Sequence, residues 1–353
     1  MLKRFLKVLC IILVVLILAV VAYLIFMTVT DYKPEEVISL NVSDDTEQVL
    51  KKDTKISAMT YNMGYCGLDA GQDFFMDGGT GSRSISKEKT LENLLGMTEF
   101  IQSQETDFIL LQEVDIKATR SYNINEYEKL KENLSDYSSI HCINYNVPWV
   151  PVPISKPHGS VKSGLVTFSK YKITETNRYQ YPGKEKWPRQ LALLDRCFIE
   201  SKLPVEEGKE LILLNSHLSA YDKGGTIRKQ QLDFLKDYVS KEYDKGNYVI
   251  VGGDWNHAIP GTDSGMFESK QEWPEWLKEI PEDFLPEGFK WGADKTVPTN
   301  RTVDIPYEEG ENYYSVIDGF LVSPNVDIIN VEGQQLNFQY TDHNPVTLEF
   351  TLK

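Results

Sequence analysis

Six apolar stretches of this 353-residue chain end on, lead out of, or contain a polar side chain able to serve a metal ion or a phosphate. Asn62 closes "KISAMTYN" and Glu113 closes the core of "DFILLQEV". His217 follows "ELILLNS", and Asp254 and Asn256 follow "NYVIVGG". Asp318 interrupts "YSVIDGFLVS", and Asp342 with His343 stands just ahead of "PVTLEFTL". Taken singly, several have ordinary explanations. Asn62 before Met63-Gly64 suits a turn, since asparagine tolerates left-handed geometry. Glu113 suits a solvated strand end, and His217 a structural histidine. Asp318 is harder to dismiss, because a buried carboxylate needs partners or stays protonated. Asp254-Trp255-Asn256 and Asp342-His343-Asn344-Pro345 are the segments that turns explain least.

Taken together, Glu113, Asn62, Asp254, Asn256 and Asp342 form an oxygen-rich set. Hard cations such as magnesium prefer such donors, keep several waters and leave room for a substrate phosphate. The chemistry that fits is metal-assisted phosphoester hydrolysis. Zinc fits less well, since neither HExxH nor a cysteine-histidine spacing occurs. A GxSxG elbow and a GxxxxGK[ST] loop are also absent, which argues against a serine hydrolase and a nucleotide triphosphatase. "DGGTGS" (77–82) follows no strand-like run and reads as a turn.

For these groups to meet, the runs that carry them must end at a common edge. Strand-like runs are expected at 55–62, 107–114, 163–169, 191–200, 210–216, 247–254, 314–323 and 345–352. The last alternates Val346, Leu348, Phe350 and Leu352 on one face, as a half-buried strand does. Helical spacing places Leu91, Leu94, Leu95, Thr98 and Ile101 on one stripe after Ser86, a candidate N-cap. A second stripe carries Leu232, Leu235 and Val239. Many strands, fewer helices and no steady βαβ alternation predict an α+β fold in one domain, with two packed sheets and helices outside.

The N-terminus is of another kind. Val8 to Val29 run without a charge, about the length a helix needs to cross the hydrocarbon layer. Lys3, Arg4 and Lys7 precede this run and Asp31 follows it, which places the N-terminus in the cytoplasm and the remainder outside. A cleaved signal peptide is the rival, but "AVVAYLIF" continues apolar past its alanines, which favours a retained anchor. The organisation expected is therefore an anchor over 1–30, a polar acidic spacer over 31–54 and a catalytic domain over 55–353. The formal net charge is −15; dropping the three basic residues before position 31 from the 37 leaves 34 against 52 acidic, or −18 outside. That balance lowers the expectation of a high-affinity nucleic-acid binder, which usually offers a basic face. Cys66, Cys142 and Cys197 show no CxxC spacing; they allow one bridge and require none.

In this order, "TYNMG", "LLQEVD", "SGLVTFSK", "LLNSHLSA", "GGDWN", "VIDGFLVS" and "TDHNPV" resemble the endonuclease/exonuclease/phosphatase superfamily, the deoxyribonuclease-like fold, over residues 55–353. The resemblance implies a four-layer α/β/β/α sandwich of two mainly antiparallel sheets with the active site at one sheet edge. It implies that Glu113 is the main magnesium ligand, with manganese as a substitute, and that Asn62 and Asp342 stand close to the metal or a second site. It further implies that Asp254 orients or deprotonates the attacking water, that Asn256 donates to the phosphate, and that His343 pairs with Asp318 at the scissile phosphate. His217 is implied to bind phosphate or assist the leaving oxygen. Asp254 is the first choice for general base and His343 the second. Arg189 is a weaker candidate for phosphate contact, and His158 and His257 match no motif.

Fold and metal do not select the ester. The anchor, the −18 outer charge and the aromatic, proline-rich segments 145–159 and 267–292, with Trp149, Trp273 and Trp276, tip the balance to a lipid or small phosphoester. The alternative is an extracellular magnesium-dependent nuclease, and a remoter one an inactive binding module on the same scaffold. The partners expected are thus the phosphoester and the membrane, through residues 8–29; no protein partner is inferred.

Overall fold

A computed structural model describes residues 1–353 except Asp45, Glu207 and Lys223. Among the described residues the α-helices are α1 (Leu2–Val29), α2 (Lys87–Gln104), α3 (Glu126–Asn133) and α4 (Thr226–Asp244). The strands begin with β1 (Val37–Ser39), β2 (Ile56–Asn62), β3 (Phe108–Asp115), β4 (Ser138–Val150), β5 (Gly159–Ser169), β6 (Glu175–Gln180), β7 (Cys197–Val205) and β8 (Lys209–His217). They continue with β9 (Tyr248–Asp254), β10 (Lys290–Gly292), β11 (Asn300–Arg301), β12 (Tyr314–Ser315), β13 (Asp318–Val322), β14 (Val326–Gly333) and β15 (Val346–Leu352). One sheet runs β1-β6-β7-β8-β9-β13-β10 and the other β14-β15-β2-β3-β5-β4; only β2–β3 and β8–β9 pair in parallel within them.

The period of two along each strand builds the layers. Ala58, Leu110, Leu213 and Ile250 point inward to a core shared by both sheets. Their neighbours Met59, Ile109 and Leu111 pack outward against Leu94, Met97 and Ile101 of α2 and Tyr127 and Leu130 of α3. On the far side, Ile212, Leu214, Val249 and Val251 meet Leu232, Leu235 and Val239 of α4. The chain is an α+β sandwich with helices on both outer faces. Ser86 caps α2 as its position suggested, its hydroxyl accepting from the Lys89 N–H at 3.1 Å.

Four expectations change. The run 191–200 is strand only from Cys197, since Arg189–Ala192 form a short 3₁₀ turn. Leu95 points to solvent, because the buried stripe of α2 is rotated from the one the spacing implied and runs through Asn93, Leu94, Met97, Thr98 and Ile101. The run 314–323 is two strands, broken ahead of Asp318. Residues 31–54 do not hang free: β1 pairs with β6, Ser43 bridges to Ser139, and Leu50 is buried in the central core beside Val205. The segment behaves as an edge strand and a strap of the domain. All cysteines are free thiols, with the sulfurs of Cys142 in β4 and Cys197 in β7 3.6 Å apart across the two sheets.

The doublet Gly252-Gly253 answers a packing need. A Cβ on Gly253 would lie 1.9 Å from the Ser216 carbonyl oxygen of neighbouring β8, and one on Gly252 2.6 Å from Leu110 Cδ1. The first contact is with backbone of the paired strand, so it cannot be relieved by a rotamer. The close approach is between the strands β8 and β9. Gly253→Ala is expected to cost about 3 kcal/mol and lower the thermal midpoint by roughly 6–12 °C, read by calorimetry; an unchanged midpoint would show that β8 and β9 can part at this row.

Candidate active site

The row of β8, β9 and β13 that passes Gly253 ends in chemistry. His217, Asp254 and Asp318 are register partners on these three neighbouring strands. Asp254 Oδ2 receives the Asn62 side-chain N–H at 3.0 Å and the Asn256 side-chain N–H at 3.3 Å, with His217 Nε2 also at 3.3 Å. Its Oδ1 accepts from the Asn256 backbone N–H at 2.8 Å. Asn256 reaches this position in the left-handed region, at φ 49°, which asparagine tolerates better than most residues. From the other sheet, the segment before β15 brings His343, whose Nδ1 lies 2.8 Å from Asp318 Oδ2.

Glu113 arrives by a different device. The β3–β5 register slips between Leu111 and Val114, and Glu113 sits in this bulge at φ 54°. A bulge re-aims one side chain. Gln112 turns inward to Asn215, its Nε2 donating at 2.8 Å, while Glu113 is freed to line the same cleft as Asp342, Asp254, Asn256, His217 and His343. Asn62 and Asp318 lie behind that wall. Asn62 spends both carboxamide atoms on protein partners, since its oxygen accepts from the Gly64 N–H at 3.0 Å. Asp318 Oδ1 is buried without a partner.

Charge in the cleft is divided. Burial works against the Glu113 anion, but Arg120, 3.8 Å away, leads the positive charges that hold its carboxyl below the usual range. Burial likewise opposes the Asp254 anion, and the contacts from His217 and the Asn256 N–H outweigh it, so its carboxyl is depressed. Asp342 is pushed up by burial, against the nearby His343 and Arg301. Burial also raises Asp318, to about 6. His343 is raised to about 10: burial favours the neutral ring, but Asp318 and Asp342 overcome it. His217 is lowered by burial and by Arg196. His343 is therefore a cation at neutral pH and His217 a neutral imidazole. A neutral His343 ring would accept at Nε2 from the Asn300 side-chain N–H, 3.1 Å away; the cation needs Asn300 to turn its oxygen to the ring.

The donor set suits a hard divalent cation. Glu113, Asp254 and Asp342 bring three carboxylates to one small cleft, and the guanidinium nearest to Glu113 is already held by both oxygens of Asp115, at 2.9 and 3.1 Å. Gathered oxygens with too little local positive charge are what magnesium-type sites offer. A tighter grouping also exists, in which ligand atoms of Asp254, Asp318 and His343 lie within 4.8 Å of one another; there the His343–Asp318 hydrogen bond accounts for most of the proximity.

Several lining residues carry no signature in the sequence. Arg196, just before β7, faces the cleft with one terminal nitrogen unpartnered and with Glu113 and Asp254 in its field. Arg189 instead pairs with Glu185 at 3.3 Å and lines a neighbouring hollow. Tyr221 donates to Asp77 at 2.8 Å, and burial raises Asp77 to about 7 in spite of that bond. His158 lines the wall beside Tyr65 and Phe74, kept neutral at about 3 by burial. Single polar residues in irregular segments follow no periodicity, so the sequence marks none of them. His257 turns away, bonded to the Trp255 carbonyl.

A two-sheet sandwich with an acidic, histidine-bearing cleft at the strand ends is the architecture of a metal-dependent phosphoesterase. Residues 59–343 match the model of the Endonuclease/Exonuclease/phosphatase family. The chain belongs to that family, whose members generally depend on divalent metal, and is a phosphoric ester hydrolase. Similar folds occur in an endonuclease/exonuclease/phosphatase from Beutenbergia cavernae (TM-score 0.60, 16% identity, 84% of this chain and 72% of that one). Another comes from Bacteroides vulgatus (TM-score 0.54, 19% identity, 85% and 100%). A third is the human Nocturnin catalytic domain with bound sulfate anion (TM-score 0.55, 16% identity, 89% and 97%). A search of curated proteins gives no match.

Proposed function

We propose that this chain is a membrane-tethered, magnesium-dependent phosphoesterase that cleaves lipid or small phosphoesters at the outer membrane face. The observation that carries the reading is the convergence of Asn62, Asn256 and His217 on one depressed carboxylate, Asp254, beside the Glu113–Asp342 wall. Glu113 and Asp342 would hold the ion, and Asn62, behind that wall, would act on the site through its hydrogen bond to Asp254. When bound, the ion neutralises phosphate charge and acidifies water. Asp254 orients the attacking water and takes its proton. The water oxygen bonds to phosphorus while the bond to the leaving oxygen breaks. His343, charged and held by Asp318, fits as an anchor for the phosphate anion better than as a base. Asn256 donates to a phosphate oxygen, and His217, beside Asp254, steadies the leaving oxygen.

The anchor rests on α1, the one helix among the described residues long and apolar enough to cross a membrane. The −18 outside charge and the acidic rim disfavour a polyanionic strand as substrate. The test is a panel on the full-length protein in mixed micelles: sphingomyelin, phosphoinositides, bis-p-nitrophenyl phosphate and plasmid DNA, with magnesium or EDTA. Turnover of a lipid or small ester that EDTA abolishes and magnesium restores is expected. DNA cleavage outpacing every other ester would make this an extracellular nuclease, and no turnover of any ester would leave the binding-module reading.

A further inference from the structure

The cleft and the N-terminal helix share a wall. Met27, the buried residue of α1, packs with Val147 and Val150 of β4, Tyr145 and Leu191, with Tyr23 and Leu194 at the edge of the same cluster. The Tyr23 hydroxyl donates to the Trp149 carbonyl at 3.0 Å, and the Trp187 indole N–H donates to the Thr28 hydroxyl at 3.1 Å. On its other side this wall is the active cleft, lined by Asp31, Tyr145, Gln190, Leu193 and Leu194.

The contacts set a depth. Tyr23 is rooted six residues before Val29, about 9 Å at 1.5 Å per residue. The apolar span of 22 residues is about 33 Å long, close to the roughly 30 Å of the hydrocarbon layer. A domain gripping the last two turns of such a helix cannot stand clear of the bilayer. The side chains that this places at the interface are apolar or amphipathic: Ile154 is 90% exposed, Trp187 56%, Val152 45% and Trp149 40%. Lys156 and Lys186 are exposed beside them, as expected of chains that reach for lipid phosphates on an otherwise acidic body.

We infer that the β4–β5 loop carrying Val152 and Ile154, together with Trp149 at the end of β4 and Trp187, inserts into the bilayer that holds α1, so that the cleft opens against the lipid headgroups. The inference rests on the reading of α1 as a retained span and deepens the choice of lipid substrate. Insertion is shallow, since the loop's backbone amides need water or headgroup partners that hydrocarbon lacks.

The test uses the full chain with Cys10→Ser, reconstituted in phosphatidylcholine vesicles carrying sphingomyelin or phosphoinositides, with Ile154→Cys bearing an environment-sensitive dye. Ile329→Cys serves as control, since Ile329 is exposed on β14 at the opposite edge of the β4 sheet. The dye at 154 should emit at shorter wavelength, resist iodide and be quenched by lipids spin-labelled near the headgroup, while the dye at 329 should behave oppositely. A dye at 154 as open to iodide as that at 329 would overturn the inference. In the unlabelled chain, Ile154→Asp should lower turnover of vesicle lipid at least tenfold and leave bis-p-nitrophenyl phosphate within twofold. Equal losses on both would also overturn it. If the dye reports insertion and only the soluble ester is turned over, insertion stands and the lipid reading fails, so the two are separated.

Discussion

Replacing Glu113 with glutamine is expected to lower magnesium-dependent turnover at least a thousandfold and to move the thermal midpoint by no more than a few degrees. The asymmetry follows from its position. Glu113 sits in a bulge whose shape is set by β3 and β5, and glutamine keeps that shape and volume. The cation nearest to it, Arg120, is 3.8 Å away and keeps its paired bonds to Asp115, so little structural work is lost. The ligand charge is lost entirely. A thousandfold is about 4 kcal/mol of transition-state stabilisation, in the range expected when charge neutralisation at a phosphoryl centre is impaired. Initial rates at rising magnesium, metal titration by calorimetry and the melting curve check it together. Wild-type turnover in the variant would move the metal away from Glu113.

Asp254→Asn should be comparably severe in rate, a loss of about 10³- to 10⁴-fold, but should also cost stability. Its Oδ2 faces the side-chain N–H groups of Asn62 and Asn256 and the Nε2 of His217. An amide nitrogen placed there sets donor against donor, and unpaired buried groups cost about 1–3 kcal/mol each. His217 relieves part of this by shifting its proton to Nδ1, which has no partner in the wild type. Loss of a positioned base contributes about 10²–10⁴ in rate, and loss of the charge that aligns the water adds to it. Because the two effects differ, melting and kinetics must be read on one sample. A variant that melts early yet keeps a tenth of its turnover would reduce Asp254 to a structural role.

How much of this was legible depended on whether a residue belonged to a pattern. Asp254 and His217 stand where regular apolar alternation stops, and strand ends of neighbouring register meet, so their proximity could be anticipated. The strand β4 could not: "SSIHCINYNVPWV" mixes polar residues with a proline, and only its pairing along β5 makes it a strand. The strap over 31–54 looked like a tether because its composition is acidic, yet Leu50 alone is enough to pin it into the core. Leu95 fits the spacing of an apolar stripe, but the face that packs is rotated toward Asn93 and Met97, which spacing alone does not fix. Arg196 lies inside the run expected as a strand over 191–200 and Arg189 just ahead of it; which one turns inward is decided by β7, whose first residue, Cys197, follows Arg196 directly. The left-handed turn at Glu113 has no sequence mark, since glutamate seldom adopts it.

The grip of the domain on Met27 has a cost should the two be separated. Proteolytic shedding ahead of residue 31 would uncover Val147, Val150 and Leu191 at once, with the already bare Trp187 and Ile154 beside them. A shed domain would carry a greasy scar and tend to clump or cling to passing surfaces. The helix acts as a stopper over this patch, and preparations that retain it in a micelle should stay monodisperse where clipped ones precipitate.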